Sequence, residues 1–78
     1  MNLEIITPDK NLYSGEVTSV IVPGSSGKLG ILKDHAPIIT TLQKGDISII
    51  ENGGKTQEFT VNGGVLEMLN NKIIILAE

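Results

Sequence analysis

Apolar and polar residues alternate along most of this chain with the period of two that marks half-buried strands. Leu3 and Ile5 alternate with Asn2 and Glu4, and Pro8-Asp9-Lys10-Asn11 then makes a turn. A second strand is predicted from about Leu12 to Val22. Its apolar spacing, Val17 and then Val20 and Val22, slips by one residue at Thr18-Ser19, where a β-bulge would restore the inward face. A glycine-rich loop follows, enclosing a short strand Leu29–Leu32, and then comes Pro37 to Leu42. Gln43-Lys44-Gly45-Asp46 turns into Ile47–Ile50. Asn52-Gly53-Gly54 is a hairpin signal, because primed turns need positive φ. Phe59 and Val61 alternate with Glu58 and Thr60. Asn62-Gly63-Gly64 turns into Val65–Leu69, and Asn70-Asn71 separates these residues from Ile73–Leu76. No stretch carries the spacing of an amphipathic helix. The expected fold is all-β, an antiparallel β-sandwich or flattened barrel of about eight to ten short strands.

Ile50, Leu66, Met68 and Ile74 fall on the opposite parity from their inward-facing neighbours. Either further bulges reset the parity, or these residues form an outer apolar patch that docks onto a partner.

Composition narrows the function classes. Seventy-eight residues make one domain with a thin core, filled by Ile, Val and Leu because Tyr13 and Phe59 are the only aromatics. There is no cysteine, which removes disulfides and Cys-based zinc sites. The net charge is −3 and all six cationic side chains are lysines, so the basic face and the bidentate arginines of a nucleic-acid binder are missing. No apolar run reaches the length of a membrane-spanning helix, and the first residues do not read as a signal peptide. The expectation is a soluble, intracellular protein.

Candidate chemistry is sparse. His35 lies beside Asp34, but neighbouring side chains on an extended chain diverge, and no second histidine or cysteine exists to complete a metal site. The expectation is no catalytic residue, no metal and no cofactor. Gly24, Gly27 and Gly30 resemble a phosphate-cradling loop only superficially, since a strand-like segment follows instead of a helix; turn dihedrals explain them better. Lys10, in Asp9-Lys10-Asn11, supports one alternative. Small β-domains that carry lipoyl or biotinyl groups present a lysine at a hairpin tip, although the flanking residues match that pattern only in part.

The segment LEIITPDKNLYSGEVTSVIVPGSSGKLGILKDHAPIIT, followed by VNGGVLEMLNNKIIILAE, resembles the N-terminal domain of the epsilon subunit of rotary F-type ATP synthase. The opening L-x-[IV]-[IV]-[ST]-P, the central P-G-x-x-G-x-[FL]-G-[IV]-L-x-x-H-A-P and the closing V-x-G-G all occur in order. The resemblance covers residues 1–78. It implies a β-sandwich in a non-catalytic subunit at the foot of the central stalk. There it would bind the gamma subunit and the polar loops of the c-ring and turn with them, coupling proton flow to ATP synthesis. It also implies a peripheral position on the cytoplasmic face of the plasma membrane, without insertion. Ser26 and Lys28 would then face the c-ring, while Thr7, His35 and Thr40 would lie towards gamma. Met68, from the second-parity set, joins them as a candidate partner contact.

Two departures stand out. Lys28 occupies a place where many family members carry a carboxylate. The chain also stops at Glu78, where relatives commonly continue into a helical hairpin. The expectations are a naturally short subunit with the hairpin absent, and no ATP binding, because the family's ATP-binding residues lie mostly on those helices.

Overall fold

Alternating β-branched residues build eight strands and no helix in the computed structural model, which describes residues 1–78. The strands are β1 (Asn2–Ile6), β2 (Asn11–Gly24), β3 (Gly27–Leu32), β4 (Ile38–Leu42), β5 (Gly45–Glu51), β6 (Thr56–Val61), β7 (Gly64–Leu69) and β8 (Lys72–Ala77).

β2 organises the rest. Its first half pairs antiparallel with β1, with Asn2 opposite Glu16 and Ile5 opposite Tyr13. Its second half pairs with β3 on one side and β5 on the other. Between the halves the β5 register skips Thr18, so Val17 faces Glu51 and Ser19 faces Ile50. This is the bulge anticipated from the slipped spacing, and it leaves Val17, Val20 and Val22 all buried. The Thr18 hydroxyl donates to the Ile50 carbonyl at 3.1 Å across it. The chain's amino group donates to the Val17 carbonyl at 3.1 Å, while the Val17 amide donates back to Met1 at 2.8 Å.

Two layers result. A single eight-stranded sheet, continuous through the pairing of Gly24 with Leu42, folds into them: one layer holds β4-β7-β8-β1 with the first half of β2, the other β3-β2-β5-β6. Their inner faces supply a core of fifteen buried apolar residues, with no buried polar or charged side chain. Tyr13 and Phe59 pack at the margin, ring centroids 5.8 Å apart and tilted by 58°.

At the Asn62-Gly63 turn the chain leaves β6, an edge strand, and crosses to the other layer. Two features differ from the sequence expectation. The sheet is mixed, because β1 and β8 pair parallel. In β7 the inward residues are Leu66 and Met68, 0% and 2% exposed, whereas Val65 and Leu69 point outward. The β7–β8 connection explains that parity. Asn70 and Asn71, at φ 51° and 61°, form a two-residue turn that fixes Leu69 opposite Lys72. The register then forces Leu66 and Met68 onto the same face as Ile73 and Ile75.

Gly64 is the tightest point of the crossover. Its φ is 148°, and a Cβ there would overlap the Leu76 carbonyl oxygen and stand 3.1 Å from Ala77 Cα. Gly64→Ala should therefore cost about 2–3 kcal/mol. That corresponds to a fall in melting temperature of roughly 10–20 °C for a domain of this size, readable by thermal circular dichroism.

Candidate functional site

The strand ends place the candidate residues. Thr7 follows Ile6, which pairs with Leu76 at the end of β8, so it marks one end of the sandwich. Its hydroxyl accepts from the Asp9 and Lys10 amides and donates to the Lys10 carbonyl, fixing the β1–β2 turn. Ser26, in the turn between β2 and β3, and Lys28, at the start of β3 opposite Pro23, are both exposed and sit at this same end. That turn is docked on β4 through the Ser25 amide to the Thr41 carbonyl at 3.0 Å and a 2.7 Å contact between the two hydroxyls. Of the loop's glycines, Gly27 takes a positive φ of 129° and Gly24 lies close to the Gly27 carbonyl. Nothing in the structure requires a glycine at position 30.

His35 lies at the opposite end. The residue before it, Asp34, has φ 64° and is clasped by Asn71: the Asp34 amide donates to Asn71 Oδ1 at 2.7 Å and Asn71 Nδ2 donates to Asp34 Oδ1 at 3.0 Å. His35 donates its amide to the Leu32 carbonyl at 3.1 Å, and its Nδ1 is 2.7 Å from the Ala36 carbonyl. The half-buried imidazole therefore belongs to the corner that redirects the chain into β4. Thr40 lies between the two ends, half-buried in mid-β4 opposite Leu66. Thr7, Thr40 and His35 thus run the length of one sheet and do not converge. No group of three or more His, Asp or Glu residues gathers where it could hold a metal.

Met68 is not on the surface. It points into the core beside Ile73 and Ile75, for the reason of register given above, and an outer patch built on it and Leu66 is excluded. Ile50 and Ile74 do reach outward, but on different sheets. The main exposed apolar surface is instead the outer face of the β4-β7-β8-β1 layer. Cross-strand pairing there aligns Ile6, Leu76 and Val65 in one row, with Ile74, Glu67 and Ile39 in the next. Ile39 is 74% exposed, Leu69 59% and Leu76 50%. The signal in the sequence was that β4, β7 and β8 each carry apolar residues on both parities, which a strand with one wet face does not need.

The whole chain, residues 1–78, matches the family described as ATP synthase, Delta/Epsilon chain, beta-sandwich domain. The chain belongs to this family. Among its relatives, the ATP synthase epsilon chain of Desulforamulus reducens is 42% identical over 76 residues, 97% of this chain and 57% of that one. The epsilon chain of Leptospira interrogans (serovar copenhageni) is 45% identical over 78 residues, 100% of this chain and 61% of that one. That of Chlorobium limicola is 42% identical over 76 residues and 86% of its length is covered. The chain thus spans little more than half of several relatives. The fold is shared with a chain of the Euglena gracilis mitochondrial ATP synthase, solved as OSCP/F1/c-ring, at TM-score 0.86 and 19% identity over 96% of this chain and 48% of that one. A chain of the Tetrahymena thermophila central stalk/c-ring structure matches at TM-score 0.79 and 19% identity, over 99% and 62%.

Within this epsilon-type sandwich, one polar cluster joins the layers. Glu51 Oε2 accepts from the Tyr13 hydroxyl at 2.9 Å and from Gln57 Nε2 at 2.6 Å. Partial desolvation, then the Glu51 hydrogen bond and its negative charge, raise the Tyr13 pKa above its ordinary value. The folded chain holds this proton more tightly than the unfolded chain. The associated stability is therefore whole below the ordinary tyrosine range and is lost as pH rises through the raised pKa. Tyrosinate absorbance, which reports this residue alone, should titrate above free tyrosine, and Glu51→Gln should lower the midpoint.

Two substitutions separate core from surface. Met68→Asp should bury an unpaired charge and abolish cooperative folding at ordinary temperature. Ile39→Asp should leave the melting temperature nearly unchanged. Thermal denaturation of both variants checks the assignment.

Proposed function

We propose that this chain works as the epsilon-type β-sandwich of an F-type ATP synthase rotor, a non-catalytic subunit that joins gamma to the c-ring and helps couple proton flow to ATP synthesis. The family match across all 78 residues carries this reading. The c-ring assemblies to which the two structural neighbours belong support it. In this reading gamma lies along the outer face of the β4-β7-β8-β1 sheet. That face is apolar, with Thr7 beyond one end of the sheet and His35 beyond the other, whereas Thr40 shares the inward parity of its partner Leu66 and lies off it. An apolar patch of this extent, broken by Glu67 and Lys72, suits a protein partner better than water. The Ser26–Lys28 turn would meet the polar loops of the c-ring. The subunit would sit peripherally at the cytoplasmic face of the membrane and hold no ATP of its own.

Capture of purified gamma tests the face. Ile39→Asp should weaken it by about tenfold or more, as a charge in the centre of an apolar interface does, with the fold intact. Recovery equal to that of the unaltered chain would place gamma elsewhere. Lys28→Glu should weaken attachment to c-ring by no more than about 1 kcal/mol, and less so in high salt. A loss that salt does not change would remove Lys28 from that contact.

A further inference from the structure

Two Asn-Gly pairs occur in this chain, Asn52-Gly53 and Asn62-Gly63, and the structure treats them very differently. An asparagine followed by glycine is open to intramolecular attack because no Cβ shields the next backbone nitrogen. Whether attack succeeds depends on how freely that peptide can rotate towards the side chain. Asn52, Gly53, Gly54 and Lys55 form an exposed loop between β5 and β6. Neither the Asn52 carbonyl nor the Gly53 amide makes a backbone hydrogen bond, and the only bond from Asn52 itself is a long one of 3.4 Å to the Glu16 carbonyl. At Asn62-Gly63 the same chemistry is restrained. The Asn62 amide donates to the Glu78 carbonyl at 3.3 Å, the Glu78 amide donates to Gly63 at 3.0 Å, and Gly63 is buried. The other asparagines precede residues with side chains, and the Asn71 carboxamide is occupied by Asp34.

We propose that Asn52 is a site of spontaneous deamidation and the first covalent change this chain undergoes. The Gly53 nitrogen, deprotonated by hydroxide, attacks Asn52 Cγ. The N–Cγ bond forms, the Cγ–Nδ2 bond breaks, and the departing nitrogen takes a proton from water and leaves as ammonia. Water then opens the succinimide at either carbonyl, giving aspartate or isoaspartate. Either product adds a carboxylate beside Glu51 and near Glu16. Isoaspartate also lengthens the main chain inside the turn that the Gly54 amide closes on the Glu51 carbonyl at 2.9 Å. Because Glu51 anchors Tyr13 and Gln57, the change reaches the polar cluster that joins the sheets.

The test is incubation of the folded chain in warm, mildly alkaline buffer, followed by peptide mapping by mass spectrometry. Asn52 should convert to the acid about tenfold or more faster than Asn62, the factor set by the two Glu78 hydrogen bonds that Asn62-Gly63 must break. In urea the two sites should convert at similar rates, since both are Asn-Gly. Asn62 keeping pace with Asn52 in the folded chain would overturn the proposal. So would an Asn52 that stays intact while the unfolded chain converts.

Discussion

β2 serves both sheets because its backbone takes in one extra residue at Thr18. Strand side chains alternate strictly, so a regular strand with Val17 inward would turn Val20 and Val22 outward. The bulge resets that parity and sharpens the local twist, letting the second half of the strand cross over the first. Everything downstream is placed from this bend. β5 and β6 build outward from the second half, β1 and then β8 from the first, and the two inner faces meet across a core that holds no polar side chain. Four bonds hold the bend: Thr18 to Ile50, the two between Met1 and Val17, and the Tyr13–Glu51 contact that ties the halves' surroundings together.

The molecule's polar and charged side chains all lie outside this core. With no buried ionisable group and no clustered metal ligands, the molecule's distinguishing surface is an apolar sheet face bordered by two shaped ends. At one end a serine-threonine contact holds the glycine loop against β4; at the other the Asp34–Asn71 clasp holds the histidine corner. The ends differ in chemistry and the face between them is continuous.

Much of this was legible in the sequence. The approximate strand positions follow from alternation and turn signals, the Thr18 bulge from the slip after Val17, and the family resemblance from the glycine, proline and histidine spacing. The illegible parts share one cause: they depend on partners remote in the chain. Val65-Leu66-Glu67-Met68-Leu69 has apolar residues on both parities, so the strand alone does not say which face is wet; the register across Asn70-Asn71 decides it. The two roles of Asn71, turn residue and clasp for Asp34, could not be separated from the sequence, because the second joins residues 37 positions apart. His35 was already set aside as chemistry in the sequence, and its hydrogen bonds to the Leu32 and Ala36 carbonyls make it part of a corner.

The parallel pairing of β1 with β8 has a consequence in time. Parallel neighbours cannot be joined by a tight turn, and here the connection is all the chain between them. During synthesis β1 can pair early with β2, but its other edge stays open until Ile73 and Ile75 have emerged. The nascent domain therefore exposes Leu3 and Ile5 beside an unpaired strand edge until almost its last residue is made, a state prone to sticking to its neighbours. A sandwich of this topology gains its protection all at once, when β8 docks beside β1, and a chain interrupted within β8 is left with its first strand still open.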